Sequence, residues 1–412
     1  MRDTTWAGTN GGRIAAGVTV LLASMVGLPT AAEAAAPGGP TCMGKPATIV
    51  GEPGTNVTGT SGPDVIVGGP GTQRIRPRGG IDLVCAGDGH DGVLDRDHYL
   101  DKVDLGARTD SFISMTADAR ANVDAGNDGE PLDETLWYDG PGISVDLAAG
   151  TDSRGNLLRG FLTVHGTPHA DTILGRGRTD VILGEGGADL IRGRGGVDYL
   201  TTALHADCGP PRSLARLYGG AGNDGVSNAG ACRSQLSGGG GDDRLSSNRG
   251  NDLMLGDAGD DYLSAGRGAV QMRGGSGDDL LRVERGTVLV SGGSGFDRWV
   301  NWRQVSQNTH RTVVDIGAGT FVDRVVTRDG TDLVTDGRIV GIEYFRGRIS
   351  QERFIGSAGV DRINAGGTRG NKVDRIYGRG GNDRLVAPRH GWIDGGVGSD
   401  YCRAEQKRDC ER

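Results

Sequence analysis

Short apolar stretches recur along this chain at a fixed interval of nine residues. From Gly238 to Val300 the sequence divides into seven consecutive nonapeptides, each with glycine at its fourth position. The eighth position is apolar in every unit: Leu245, Met254, Leu263, Met272, Leu281, Val290 and Trp299. A glycine-rich first six residues and a β-prone last three predict a turn followed by a short strand.

Similar units occur elsewhere in the chain. Four of them span Gly166 to Thr201, with Ile173, Ile182, Ile191 and Leu200 at the eighth position. A third block starts near Gly59, and a fourth, less regular block lies near the end of the chain. Strand side chains alternate, so the eighth residue is predicted to point inward and its neighbours outward.

Two nonapeptides are expected to form one coil of 18 residues, with successive coils stacked as parallel strands about 4.8 Å apart. Only stacking gives each coil a buried neighbour, which is the property of a solenoid. The predicted fold class is therefore all-β, a parallel β-roll or β-solenoid with two β-rich interruptions.

Aspartate at the sixth position is predicted to be the metal ligand of each unit. In the main block, units 18 residues apart fall on the same edge, and one edge keeps its acid in every coil. That edge carries Asp243, Asp261, Asp279 and Asp297, and Asp224, which stands 19 residues earlier, is expected to join it through a bulge. The other edge reads Asp252, Val270 and Val288. The remaining candidates are Asp171 with Asp189, Asp180 with Asp198, Asp64 with Asp82, and Asp383 with Asp400.

This pattern resembles the hemolysin-type calcium-binding (RTX) repeat, GGxGxDxUx, and the start of the repeat region resembles secreted actinobacterial calcium-binding proteins. The resemblance implies a parallel β-roll in which aspartates and backbone carbonyls hold Ca²⁺ between turns. The alternative is that the aspartates only solvate turns, where Asp is common. That alternative does not explain why the acid is kept on one edge and lost on the other.

Physical reasoning on the residues also favours a bound divalent cation. Carboxylates stacked about 4.8 Å apart repel each other by roughly 3–4 kcal/mol at an effective dielectric constant of about 20. One coil buries only two main apolar side chains, worth roughly 3–6 kcal/mol. The metal-free roll is therefore expected to be marginal or disordered, so that binding energy becomes folding energy. Ca²⁺ suits oxygen donors in irregular geometry better than Mg²⁺ does.

The chain is predicted to be exported and to consist of a series of repeat blocks. An apolar run from Ile14 to Leu28, followed by an A-x-A pattern, predicts a signal peptide cleaved after Ala34, and no later stretch is apolar enough to span a membrane. The predicted segments are 1–34 signal peptide, 35–94 first repeats, 95–165 interruption, 166–207 second repeats, 208–237 connector, 238–300 main repeats, 301–355 interruption and 356–412 last repeats. Within the first interruption, the polar stretch 95–129 is expected to be a loop or loosely structured.

The six cysteines predict disulfides in an oxidising compartment. Fifteen pairings are open, and pairing of sequence neighbours is the expectation: Cys42–Cys85, Cys208–Cys232 and Cys402–Cys410. A zinc site would need C-x-x-C spacing, which the sequence lacks.

Charge and motifs restrict the function further. The net charge of −8 argues against nucleic-acid binding. The sequence contains neither HExxH nor GxSxG, so the expected function is non-enzymatic calcium binding outside the cell. The alternatives are a calcium-dependent carbohydrate-binding or polysaccharide-modifying β-helix and a cell-surface adhesin, with an extracellular glycan or the cell surface as partner.

Overall fold

Each strand of the repeat region pairs in parallel with a strand one coil later in the chain. In the computed structural model, Leu245 is in register with Leu263, and Met254 with Met272. Two nonapeptides therefore make one coil, as predicted, and the coils stack into a parallel β-solenoid of about 16 turns.

The structure describes residues 39–108, 110–114, 120–125, 135–202, 213–284, 288–301, 309–326, 332–347, 351–366 and 373–411. Within these ranges there is no helix, and the all-β prediction is confirmed. Residues 40–412 form one unit by their contacts. The predicted signal peptide 1–34 lies outside the described residues, and the internal segment boundaries stay a prediction.

The strands are short in the first half of the solenoid and longer in the second. The strands before residue 202 are Thr41–Cys42, Lys45–Pro46, Ile49–Val50, Val57–Thr58, Val65–Val67, Arg74–Arg76, Leu83–Cys85, Gly92–Asp95, Leu100–Asp104, Ser111–Ser114, Arg120–Asp124, Thr135–Tyr138, Ser144–Asp146, Thr151–Asp152, Leu157–Arg159, Thr163–His165, Thr172–Leu174, Val181–Leu183, Leu190–Gly195 and Tyr199–Thr201. Those of the main repeats are Ala215–Ala221, Gly225–Asn228, Ser234–Gly240, Arg244–Arg249, Leu253–Ala258, Tyr262–Arg267, Val270–Ser276, Leu280–Val283, Val288–Ser294 and Arg298–Asn301. The last are Thr309–Asp315, Thr320–Val326, Asp332–Val340, Tyr344–Arg346, Gln351–Ile355, Arg362–Asn364, Arg375–Tyr377, Arg384–Asp394 and Tyr401–Arg408.

The eighth-position side chains form the core. Each one named above for the main repeats is buried, because the pleat turns the sixth and eighth residues of a unit inward together. Towards the second interruption the core becomes aromatic, with the ring of Trp299 5.6 Å from that of Phe321 and 6.3 Å from that of Phe345.

The first interruption continues the solenoid. The expectation that 95–129 is a loop or loosely structured is wrong for its described strands, because Leu100–Asp104 and Ser111–Ser114 pair in parallel with neighbouring coils. Val103 and Phe112 are buried in these strands. Alternating apolar residues thus continue the core through a segment that has few of the glycines of the regular repeats.

The second interruption also extends the solenoid, by means of a longer turn. Thr309–Asp315, Thr320–Val326 and Asp332–Val340 form an antiparallel meander. Its outer strands pair in parallel with the coils before and after it. The first interruption contains a shorter antiparallel hairpin, in which Val145 faces Asp152.

Two of the predicted disulfides are confirmed, Cys42–Cys85 and Cys402–Cys410. Cys232 is disulfide-bonded, and its predicted partner Cys208 lies outside the described residues. Disulfides indicate an oxidising environment. The part of the chain that the structure describes holds no helix able to cross a membrane.

Candidate metal centre

The sixth-position residues line two edges of the solenoid. One edge, here called the continuous edge, carries an acid in every coil from residue 180 onward: Asp180, Asp198, Asp224, Asp243, Asp261, Asp279, Asp297, Glu343, Asp361, Asp383 and Asp400. The opposite edge, here called the interrupted edge, reads Asp171, Asp189, Ala215, Ser234, Asp252 and Val270 over the same region. Three sequence blocks that looked separate thus share one acidic edge.

A backbone hydrogen bond links each acid to the next coil. The N–H of Asp243 donates to Oδ1 of Asp261 at 2.8 Å, and the N–H of Asp261 donates to Oδ1 of Asp279 at 2.9 Å. Asp224 joins across its 19-residue spacing, as predicted, and donates to Asp243 Oδ1 at 2.7 Å. This arrangement fixes one oxygen of Asp243, Asp261 and Asp279 and leaves the other available.

The second carboxylate oxygen is buried and has no hydrogen-bond partner in ten of the fourteen predicted ligands. These are Asp82, Asp189, Asp198, Asp224, Asp243, Asp261, Asp279, Asp297, Asp383 and Asp400. Leaving a buried polar atom unpaired is costly, and an unpaired charge is more costly still. The loops therefore require an external positive partner when these groups are ionised.

First-position glycines keep a space open beside nine of these oxygens, whereas the Asp82 loop has Pro77 at that position. A Cβ added at Gly219 would lie 2.3 Å from Asp224 Oδ2 and 2.6 Å from the carbonyl oxygen of Gly238 in the next coil. At Gly256 the corresponding distances are 2.2 Å to Asp261 Oδ2 and 2.4 Å to the Gly274 carbonyl oxygen. Any larger residue would fill this cradle of carboxylate and carbonyl oxygens.

The acids of the continuous edge are here called the ladder. Burial disfavours the ionised form of these carboxylates when no cation is bound. It raises the pKa of Asp243, Asp261 and Asp279 to about 7, against the opposing effect of their backbone hydrogen bonds. Neighbouring carboxylates raise these pKa values further. On the interrupted edge, burial raises the pKa of Asp189 to about 8.

Four of the predicted ligands have both oxygens occupied. Thr60 donates to Asp64, and Thr167 donates to Asp171, in each case through the backbone N–H and the hydroxyl. Arg176 places its guanidinium on Asp180, with Nε 2.7 Å from Oδ1. Asp252 accepts bonds from Ser234, Ser247 and Asn228. In these loops, hydrogen-bond donors of the chain itself occupy the carboxylate oxygens that would otherwise be available to a cation.

The backbone at the second position separates the two kinds of loop. Where Oδ2 is unpartnered in the nonapeptide loops, this residue has a positive φ, as in Gly239 at 117° and Gly275 at 130°. In four other loops the second-position N–H donates to the aspartate of the same loop, so that both carboxylate oxygens have partners. These loops are those of Asp64, Asp171, Asp180 and Asp361. Each of these four is the first loop of a stack, with no nonapeptide loop in the preceding coil.

Stacking explains this difference. Gly239 lies in register with Gly220, and its added Cβ would be 2.0 Å from the Gly220 carbonyl oxygen, so the two loops pack backbone to backbone. A first loop lacks that support, and its N–H turns to the aspartate. Metal sites are thus expected between stacked loops rather than in isolated ones.

Sequence reasoning left Glu343 out of the ladder. Its Oε2 accepts the N–H of Asp297 at 2.7 Å across 46 residues, where the longer turn intervenes. Its only sequence signal is an acid two residues before the buried Phe345, the same spacing as Asp297 to Trp299.

The donor set identifies the kind of cation that fits. It consists of carboxylate and carbonyl oxygens in glycine-rich turns, the ligands that Ca²⁺ takes in flexible geometry. When bound, such an ion neutralises adjacent carboxylates and joins one coil to the next.

Comparison with known families finds the RTX calcium-binding nonapeptide repeat (four copies), matched at residues 54–84, 165–200, 237–272, 255–288 and 370–387. The chain therefore carries RTX repeats, and these repeats imply Ca²⁺ as the bound cation. Together with the β-solenoid, they fit a calcium-binding β-roll protein. Comparison with curated proteins finds no match.

Proposed function

We propose that this protein is an exported, non-enzymatic calcium-binding β-roll whose folding is driven by Ca²⁺ bound between stacked loops. The observation that carries the proposal is the run of buried, unpartnered Oδ2 atoms facing glycine cradles. Circular dichroism with and without calcium tests it. Export is supported by the disulfides and by the signal-like N-terminal sequence.

The proposed ligands of the repeat loops are the ten of the fourteen sequence-predicted aspartates whose Oδ2 is unpartnered. Eight of them lie on the continuous edge: Asp198, Asp224, Asp243, Asp261, Asp279, Asp297, Asp383 and Asp400. Asp82 and Asp189 belong to the other edge. We expect Asp64, Asp171, Asp180 and Asp252 to contribute less, since donors from the chain already occupy them.

The metal-free protein should lose stability as the pH rises. The pKa of Asp243, Asp261 and Asp279 is about 7 in the folded state and about 3.9 in an unfolded chain, so between these values the folded state holds more protons. Protein stripped of calcium on a chelating resin should therefore show more β-signal in circular dichroism at pH 5 than at pH 8. With saturating calcium, the order should reverse, because protons compete with the metal. An unchanged or larger metal-free signal at pH 8 would contradict the proposal.

A groove on the outer sheet face favours a second candidate function, the binding of a carboxylated glycan. It has a volume of 560 Å³ and runs across four coils. Its lining residues are Tyr262, Leu280, Arg282, Arg298, Val300, Tyr344, Arg346 and Gly347. Arg298 and Arg346 are exposed and have no carboxylate partner among the described residues.

The groove is lined by three arginines and is positively charged, whereas the protein as a whole has a net charge of −8. Guanidinium groups pair with carboxylates through two parallel hydrogen bonds, and the tyrosines add flat, amphipathic surface. Arg282 is held in place by its bond to the hydroxyl of Tyr262 at 3.0 Å.

Replacing Arg298 and Arg346 together by alanine should weaken binding of polygalacturonate by roughly 100- to 10,000-fold, since one charge-assisted hydrogen bond from each arginine contributes about 1.5–3 kcal/mol. Calorimetry at one fixed calcium concentration measures this, because calcium itself can bridge carboxylates. Arg403→Ala, further along the solenoid, is the matched control. Equal binding by all three proteins would exclude the groove as the glycan site.

A further inference from the structure

Three aspartates outside the matched repeats converge where the first interruption begins. The segment from residue 95 to residue 101 reads Asp-Arg-Asp-His-Tyr-Leu-Asp, with Asp95 ending one strand and Asp101 lying in the next. It lies between the matched ranges 54–84 and 165–200. It has none of the glycines that shape the regular loops.

The carboxylates of Asp95, Asp97 and Asp101 come together at one point. One oxygen from each lies within 4.8 Å of the others. Asp95 is 1% exposed and Asp101 is fully buried.

Hydrogen bonding leaves one oxygen of each carboxylate available. Asp95 Oδ1 accepts the N–H of Asp97 at 3.1 Å, and Asp97 Oδ1 accepts that of Tyr99 at 2.9 Å. Asp101 Oδ1 accepts the N–H of Asp82 at 3.0 Å, which ties the cluster to the coil before it. The Oδ2 atoms of the three aspartates are buried and have no hydrogen-bond partner.

This cluster is electrostatically unfavourable without a cation. Burial, followed by the repulsion of neighbouring carboxylates, raises the pKa of Asp95 to about 7 and that of Asp101 to about 8, despite their backbone hydrogen bonds. The available donors are oxygens, and the neighbouring His98 is exposed and stacks on Tyr99 with ring centroids 4.3 Å apart. Hard divalent cations prefer such donors, and Ca²⁺ tolerates an irregular set better than Mg²⁺.

We propose that Asp95, Asp97 and Asp101 form a separate Ca²⁺ site that clamps the irregular turn between two coils. In the regular loops, one carboxylate faces a glycine cradle. Here two extra carboxylates replace the cradle, so the solenoid continues through a coil that lacks the nonapeptide. The three carboxylates of the site all come from this segment, and Asp101 connects it to the Asp82 loop in the coil before it.

The test compares two double variants of the full-length protein that remove the same charge. Asp95→Asn with Asp97→Asn should lose one calcium ion per chain relative to the wild type, as measured by equilibrium dialysis and elemental analysis at saturating calcium. Asp88→Asn with Asp104→Asn, in the same coils but outside the cluster, should keep the wild-type number. A wild-type calcium count in the first variant would overturn the proposal.

A second measurement covers the case in which the first variant does not fold. Tyr99→Phe keeps every proposed ligand and removes the tyrosine next to Asp97. Terbium bound at the site should therefore show lower emission in this variant when excited through tyrosine, and unchanged emission would overturn the proposal. Failure of the ladder sites would appear differently, as β-structure in the wild type that does not respond to calcium.

Discussion

Removing calcium is expected to abolish most of the β-structure of this protein. An excess of chelator at pH 8 should convert the circular dichroism spectrum from β-sheet to largely disordered, and adding calcium back should restore it. Each coil buries few apolar side chains, while its stacked carboxylates are buried and repel one another. The metal-free state should consequently unfold coil by coil, as expected of a solenoid whose units contact only their neighbours.

The size of this effect follows from binding linkage. A site that binds only the folded state contributes about 2.7 kcal/mol when the free ion is at 100 times Kd. A few such sites equal the whole stability of an ordinary domain, about 5–15 kcal/mol. Extracellular calcium modules bind at about 10⁻⁴–10⁻³ M, so the transition should fall in that range of free calcium.

Magnesium at the same concentration is the matched control, and it should restore much less structure because it demands a tighter octahedron. Limited proteolysis gives an independent readout, with fast cleavage in chelator and resistance in calcium. Equal β-content with and without calcium would show that the ladder is held by the chain alone, and the proposed function would fail.

Asp261→Asn should remove at least one calcium ion from the main repeats and lower the thermal midpoint in calcium. Its Oδ2 has no partner in the chain, and it shares a cradle with the Gly274 carbonyl oxygen. The asparagine can still accept the N–H of Asp243 through Oδ1. A loss of calcium in this variant therefore reports the effect of the carboxylate charge alone.

Asp252→Asn is the matched control on the interrupted edge of the same block. Asp252 is buried as deeply as Asp261, at 2% exposure, but it accepts bonds from Ser234 and Ser247. This variant should lose stability without losing calcium. Val270→Ala tests packing alone, since Val270 stands at the same register position without an acid. If all three variants bind the same amount of calcium, the assignment of the metal to the continuous edge is wrong.

Sequence periodicity predicted the coil of 18 residues because burial is decided locally. A strand side chain two residues after the aspartate must point to the same side, so Asp243 and Leu245 go inward together. The same rule placed Asp224 in the ladder despite its extra residue. Two of the expected disulfides also followed from proximity along the chain.

The continuity of the edge could not be predicted from spacing. Asp198 and Asp224 are 26 residues apart, and Asp297 and Glu343 are 46 apart, yet each pair is joined by a hydrogen bond. Both separations exceed the 18 residues of one coil, and between Asp297 and Glu343 the antiparallel meander accounts for most of the difference. Sequence spacing cannot show how much of such a segment is excluded from the stack.

By itself, the sequence determined the repeat length, the inward residues and the oxygen donors, since these depend on the order of residues within one unit. Only the tertiary structure decided which loops present a free carboxylate oxygen. Arginine stands at the second position of several loops, but Arg176 donates its N–H to Asp180, whereas Arg194, at φ 80°, leaves Asp198 Oδ2 unpartnered. The residue type is the same. The difference is the loop beneath it, because a backbone that packs on a preceding coil turns its N–H away from the aspartate, and a backbone without that support does not.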